Sequence, residues 1–237
     1  MRLVVSSQME WQGSMVDVGR RRGPRVRGRA AERQQPPGAT AAGYASMGWP
    51  VCLGAHTYRG TRASMERGRA CSCDRVGCPA PGAHPVSPAW QMQATVDLNV
   101  IQTWWETRPE ASVILVTGRV FDVLDVPAAA GAAALAQMEA AGVPVGPVAV
   151  LGHDRMLFFV ITRGSPADED EWWSCGLDSE PEGDVTGLRW HCRDSYVLAP
   201  PSRLADGHEA RWLRSPHEYP LPDALRLLEY LVDACEA

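Results

Sequence analysis

Cys71, Cys73, Cys78 and His84 fall in one short run, RACSCDRVGCPAPGAHP, with the spacing Cys-x-Cys-x4-Cys-x5-His. Three thiols and an imidazole this close form a full donor set for a tetrahedral zinc ion. With all four positions filled by protein, such a zinc is structural and has no place left for a substrate. Asp74, Gly77, Pro79, Pro81 and Gly82 favour turns, which lets a short loop, residues 70–85, wrap an ion. No secretory signal is visible, so an oxidising compartment is not implied and the thiols read as ligands before they read as disulfides. The competing reading is three unpaired thiols in a loop beside an unrelated histidine.

Other chemistry is excluded more firmly. All 23 basic residues are Arg, so a phosphate loop that needs Lys cannot be present, and there is no Gly-x-Ser-x-Gly elbow or His-Glu-x-x-His helix. Cys175 and Cys192 have nothing beside them in sequence to activate a thiol. The lack of Lys, with abundant Ala, Gly and Pro, fits a GC-rich genome. Charge is divided unevenly: residues 1–40 carry eight Arg against Glu10, Asp17 and Glu32, a net +5, which leaves −10 on the remainder. A body that acidic lacks the broad basic surface of a non-specific nucleic-acid binder, so any contact with DNA or nucleotides needs a local Arg groove or the tail. The tail lacks apolar periodicity and reads as disordered. It is either a nucleic-acid arm, a solvated extension, or the product of a start placed too early, since Met15 and Met47 also precede the folded-looking region. No apolar run reaches the ~18 residues of a membrane span, so the expected location is the cytoplasm.

From residue 41 to 237 the pattern predicts one mixed α+β domain, with a mixed sheet, flanking helices and the zinc loop inserted near its start. A short helix over Ala41–Met47 precedes a strand at Trp49–Leu53. Thr95 and Asp97 offer a cap to a helix with Val100, Ile101, Trp104 and Trp105 on one face, the tryptophans either packing in the core or stacking bases. Strands at 112–116 and 120–126 are joined by Thr117-Gly118-Arg119 in what reads as a hairpin. An Ala-rich helix at 128–141 leads to a strand pair at 148–151 and 156–162. An acidic stretch from Pro166 to Glu171 precedes Trp172 and Trp173. Tyr196–Ala199 is a strand for Glu209–Leu213 to pair with, and Pro222 and Asp223 start a last helix with Leu225, Leu228, Leu231, Val232 and Cys235 on one side.

Six segments in this order, GWPV (48–51), the CSC…C…GAHP loop, TWW (103–105), VTGRVFDVLDV (116–126), RMLFFV (155–160) and SYVLAPPS (195–202), resemble the primase-polymerase (prim-pol) domain of the archaeo-eukaryotic primase superfamily. The resemblance is especially to short actinobacterial proteins of the bifunctional DNA primase/polymerase type. The resemblance implies nucleotidyl transfer in DNA replication, by magnesium or manganese ions held on acidic strand residues, with a histidine and a further acid nearby. It places the first acid at Asp125. The residue two further on is Pro127, however, and Asp122, three residues back, points to the opposite strand face. The histidine position falls on Met156 or Leu157, with His153 nearby in the preceding turn, and the last acid falls on Arg189. The implied reading is a prim-pol domain with a largely lost catalytic set, Asp122 and Asp125 being its remnants. It would act as a binding module for a nucleotide, nucleic acid or a protein partner, with Arg119, Arg189 and Ser202 as nucleotide contacts. The alternative is an active primase or polymerase using Asp122, Asp125 and His153 in altered geometry, and only that alternative requires magnesium or manganese.

Overall fold

The computed structural model describes residues 35–58, 70–162 and 187–237. The tail to residue 34, the acidic stretch with Trp172 and Trp173, and Cys175 lie outside them. Among the described residues no helix is long and apolar enough to cross a membrane.

Two sheets carry the domain. The larger has five strands in the order β10-β6-β7-β5-β8: β5 is Phe121–Pro127, β6 Val148–Leu151, β7 Arg155–Ile161, β8 Arg189–His191 and β10 Ala210–Arg214. The smaller has the order β1-β4-β9, with β1 at Val51–Gly54, β4 at Ser112–Val116 and β9 at Tyr196–Ala199. The short strands β2 (Thr57–Tyr58) and β3 (Ala70–Cys71) pair at the start of the Cys/His loop. Every pairing among the described strands is antiparallel, where a mixed sheet was expected. The reason is β7: it inserts between β5 and β6, so the crossover through α4 (Ala128–Ala140) joins strands that never touch.

Alternation along β5 sorts its side chains into two cores. Leu124 and Val126 face α4 and the last helix, α5 (Ala224–Glu236), and pack there with Met138, Phe158, Trp190, Leu227 and Leu231. Gly131 lets α4 settle on β7, since a Cβ there would stand 2.7 Å from the Met156 sulfur. Phe121 and Val123 face the other way, into an aromatic core with Trp49, Phe159, Trp105 and Tyr44. Helices α1 (Pro37–Ser46) and α3 (Leu98–Thr107) close that second core. Helix α1 starts before the expected Ala41, with Pro37 in its first turn. Asp97 caps α3 as expected, its carboxylate accepting from the Asn99 and Val100 N–H groups. Trp105 is buried and its indole donates to the Ala111 carbonyl at 3.1 Å; Trp104 packs against the same core, so both tryptophans serve packing.

Two expected pairings do not form. β4 and β5 are not a hairpin, because the chain leaves the small sheet at Thr117 and enters the large one at Phe121. β10 pairs with β6 rather than β9, Trp212 lying opposite Ala149. The outer face of the small sheet, Cys52, Ile114, Val116 and Leu198, is covered by Ala83 of the Cys/His loop and by Trp90 of the one-turn helix α2 (Trp90–Gln93) that follows it.

Candidate functional site

The sequence cluster is a cluster in space. One ligand atom from each of Cys71, Cys73, Cys78 and His84 lies within 4.8 Å of every other, and no ion is part of the structure. Bond lengths of about 2.3 Å to sulfur and 2.0 Å to nitrogen give tetrahedral edges of roughly 3.5–3.8 Å, so small side-chain rotations close the site around a metal ion. The donors are prepared for it. His84 Nδ1 is 2.8 Å from the Pro85 carbonyl, which fixes the proton there and leaves the Nε2 lone pair facing Cys71 Sγ at 3.3 Å. The Gly82 N–H donates to the same sulfur at 3.4 Å. Gly82 has φ +77°, and a Cβ on it would stand 2.6 Å from Thr57 Cγ2, so only glycine fits this turn. The loop is anchored to β1 by hydrogen bonds from Ala55 N to His84 O and from Val86 N to Leu53 O.

The thiols influence one another. Burial raises the Cys73 thiol, but the Arg75 N–H and its neighbours Cys71, Cys78 and His84 outweigh this and bring it down to about 7. Burial and the adjacent sulfurs push Cys78 up to about 11. One thiolate forms readily and the next is opposed by it, a conflict that a divalent cation relieves.

The second centre is Asp125, on the aromatic-core side of β5. The strand's alternation places Asp122 on the helix-covered side, so the two carboxylates do not converge. Asp125 is 5% exposed and both of its oxygens are engaged. Arg155 Nε donates to Oδ1 at 2.7 Å, while Arg155 Nη2 reaches the carbonyls of Asp125, at 3.0 Å, and of Gly187, at 2.7 Å. His191 Nε2 lies 3.4 Å from Oδ2, and its Nδ1 is 3.0 Å from Ser195 Oγ. Arg189 stands directly across from Asp125 in the β5–β8 register, and Leu157 on the β7 side. Of the two residues at the expected histidine position, strand parity therefore brings Leu157 to the acid's face and turns Met156 to the helices.

Arg155, His191 and Ser195 were not singled out from sequence. The signal was available in parity: if 189 shares a face with Asp125, so does 191. His153 sits in the β6–β7 turn, where its ring meets His208. Arg119 is exposed in the Thr117–Val120 turn and donates to the Gln91 carbonyl. Ser202 is buried, and its hydroxyl accepts from the Val113 N–H at 2.8 Å, which ties the segment after β9 to β4. Thr117 does similar work: its hydroxyl donates to the Cys192 carbonyl at 2.6 Å, and its N–H donates to Ser195 O. The TGR segment thus ties the end of β4 to the turn after β8, and the APPS segment braces the small sheet.

The Arg155–Asp125 pair makes a prediction. Removing the guanidinium leaves a buried carboxylate with only the imidazole, whereas replacing both partners with apolar groups leaves nothing charged behind. Arg155→Met should cost about 2–4 kcal/mol and lower the melting midpoint by about 5–15 °C. The double variant Arg155→Met/Asp125→Leu should regain most of that. Thermal unfolding of the two variants and of Asp125→Leu completes the cycle; equal losses in the single and double Arg155 variants would show that Arg155 acts by packing alone.

Two packed antiparallel sheets, a buried acid on β5 between β7 and β8, and a Cys/His loop over the smaller sheet define the class of domain. A family model for the N-terminal domain of bifunctional DNA primase/polymerase matches residues 41–224, and the chain belongs to this Prim-Pol family. Membership relates it to DNA primases and polymerases, whose business is nucleotides and nucleic acid. No curated protein matches the chain.

Proposed function

We propose that this protein is a Prim-Pol domain that has given up nucleotidyl transfer and serves as a nucleotide- or nucleic-acid-binding module, with a structural zinc in its Cys/His loop. The observation that carries the reading is the Arg155 guanidinium at 2.7 Å from Asp125. A two-metal mechanism needs several acidic oxygens around ions about 4 Å apart, and a fixed cation on the first acid repels them. Among the described residues, the only group of three or more His, Cys, Asp or Glu able to share an ion is the Cys/His cluster. Thiolate and imidazole suit zinc, not magnesium. Arg189 in β8 and Arg119 in the Thr117–Val120 turn are exposed, and guanidinium groups suit phosphate oxygens. Ser202, buried, contributes indirectly, by holding the segment after β9 to β4.

The test is nucleotide incorporation on primed and unprimed templates with magnesium and with manganese, alongside binding of labelled single-stranded DNA and nucleoside triphosphate. Incorporation should equal that of Asp125→Ala in every condition. Binding should weaken at least about threefold in Arg189→Ala, the loss of one phosphate contact. Synthesis that disappears with Asp125 would instead establish the active-enzyme alternative.

A further inference from the structure

At the tips of the β6–β7 turn and of the β9–β10 connection, two histidines meet. The antiparallel register sets Ala210 opposite Leu151 and Arg211 opposite Val150. Continued outward by two residues, it sets His208 opposite His153, and cross-strand partners at this spacing have side chains in contact. Their Nε2 atoms are 3.1 Å apart, with the rings 74° from coplanar.

One ring is held by the turn that carries it. Asp206 Oδ2 lies 2.9 Å from His208 Nδ1, and Asp206 Oδ1 accepts the His208 N–H at 2.8 Å. A carboxylate only accepts, so the His208 proton is fixed on Nδ1 and the Nε2 lone pair of the neutral ring faces His153. The backbone is shaped for this meeting. Gly207 has φ +90°, and a Cβ on Gly152 would stand 3.3 Å from Asp206 Oδ2, so glycine allows the two turns to approach.

We propose that His153 and His208 are a second metal site, open to solvent, for a borderline divalent transition ion such as Cu2+, Ni2+ or Zn2+, with Asp206 as the outer-shell group that orients His208. Two imidazole nitrogens bound at about 2.0–2.1 Å, and separated by the angles of square-planar to tetrahedral geometry, lie roughly 2.9–3.4 Å apart. The observed separation falls inside that range. The carboxylate–histidine–metal arrangement is the usual way such a ligand is aimed. Half-exposed side chains leave the remaining coordination positions to water or to a group from another molecule, which is what separates this site from the closed Cys/His cluster. Nitrogen donors exclude magnesium and favour copper over nickel and zinc.

The experiment uses the full chain with its Cys/His cluster already filled with zinc, titrated with Ni2+ alone by calorimetry, zinc content being measured before and after. One further equivalent should bind with the zinc retained. His153→Gln and His208→Gln should each weaken Ni2+ binding at least tenfold, and Asp206→Asn, which keeps both ligands, about tenfold. A second measurement needs no variant: Cu2+ on the unaltered protein should show spin-resonance coupling to two imidazole nitrogens. Absence of Ni2+ uptake, uptake unchanged in the double histidine variant, or copper coupled to fewer than two imidazoles would each overturn the proposal.

Discussion

Cys78→Ala is expected to empty the Cys/His loop of its metal. Protein prepared without chelator should carry about one zinc per chain on the cluster, and the variant should carry none there, because three remaining ligands lose the closed tetrahedron that makes such sites tight. Structural zinc contributes on the order of 10 kcal/mol where a loop is ordered by it. Here that energy is spent on residues 70–85, not on the whole domain. The large sheet has a core on each face, while the loop helps cover only Cys52, Ile114, Val116 and Leu198. The variant should therefore keep its far-ultraviolet spectrum, bind a hydrophobic dye at the uncovered face and become cleavable near Arg75. Zinc uptake should also release protons, since Cys78, held up near 11, is a thiol at neutral pH and must become a thiolate to bind. Metal analysis decides first: zinc retained stoichiometrically by Cys78→Ala would mean that this sulfur is not a ligand.

Gly118→Ala should be the most damaging single methyl group in the described part of the chain. Gly118 has φ +76°, which costs a non-glycine residue about 1–2 kcal/mol. A Cβ there would also lie 2.2 Å from Arg193 Cα and 2.5 Å from Arg193 N, and a backbone cannot swing aside as a side-chain end can. Forcing the two turns apart would break the Thr117 bonds to Cys192 and Ser195, so the total should reach about 3–5 kcal/mol, or a midpoint lower by about 10 °C or more. Gly142→Ala is the control. Its φ is +68° with nothing within 4 Å, so it carries the conformational cost alone. Equal melting losses for the two variants would show that the sheet-to-sheet turn is looser than this packing implies.

Local chemistry was readable from the residues, and partnership was not. The Cys/His cluster needs only spacing, and its four donors come together as the spacing implied. The caps Asp97 and Asp223 announce their helices by type and position, and parity alone separates Asp122 from Asp125. The Thr117–Val120 turn failed as a guide because the same Gly signal serves a hairpin and a crossing between sheets; distant partners, β9 for one strand and β7 and β8 for the other, decide between them. β10 went to β6 for the same reason. The engagement of Asp125 was hidden by the brevity of β8, whose three residues are too few for alternation to be seen, and by Arg155, which looks like an ordinary charged residue at a strand start.

The turn that joins the sheets also bears on rates. Asp125 and His191 are 66 residues apart in the chain, Thr117 and Cys192 75, and Val113 and Ser202 89. Each of these contacts must wait for a long loop to close, whereas the β6–β7 ribbon forms from neighbours, so they are made late on the folding path. Contacts formed after the transition state act on escape from the native state rather than on arrival. Thr117→Val, which removes the contact to Cys192, should therefore speed unfolding while leaving the refolding rate almost unchanged, and the turn that joins the sheets governs how long a folded molecule lasts.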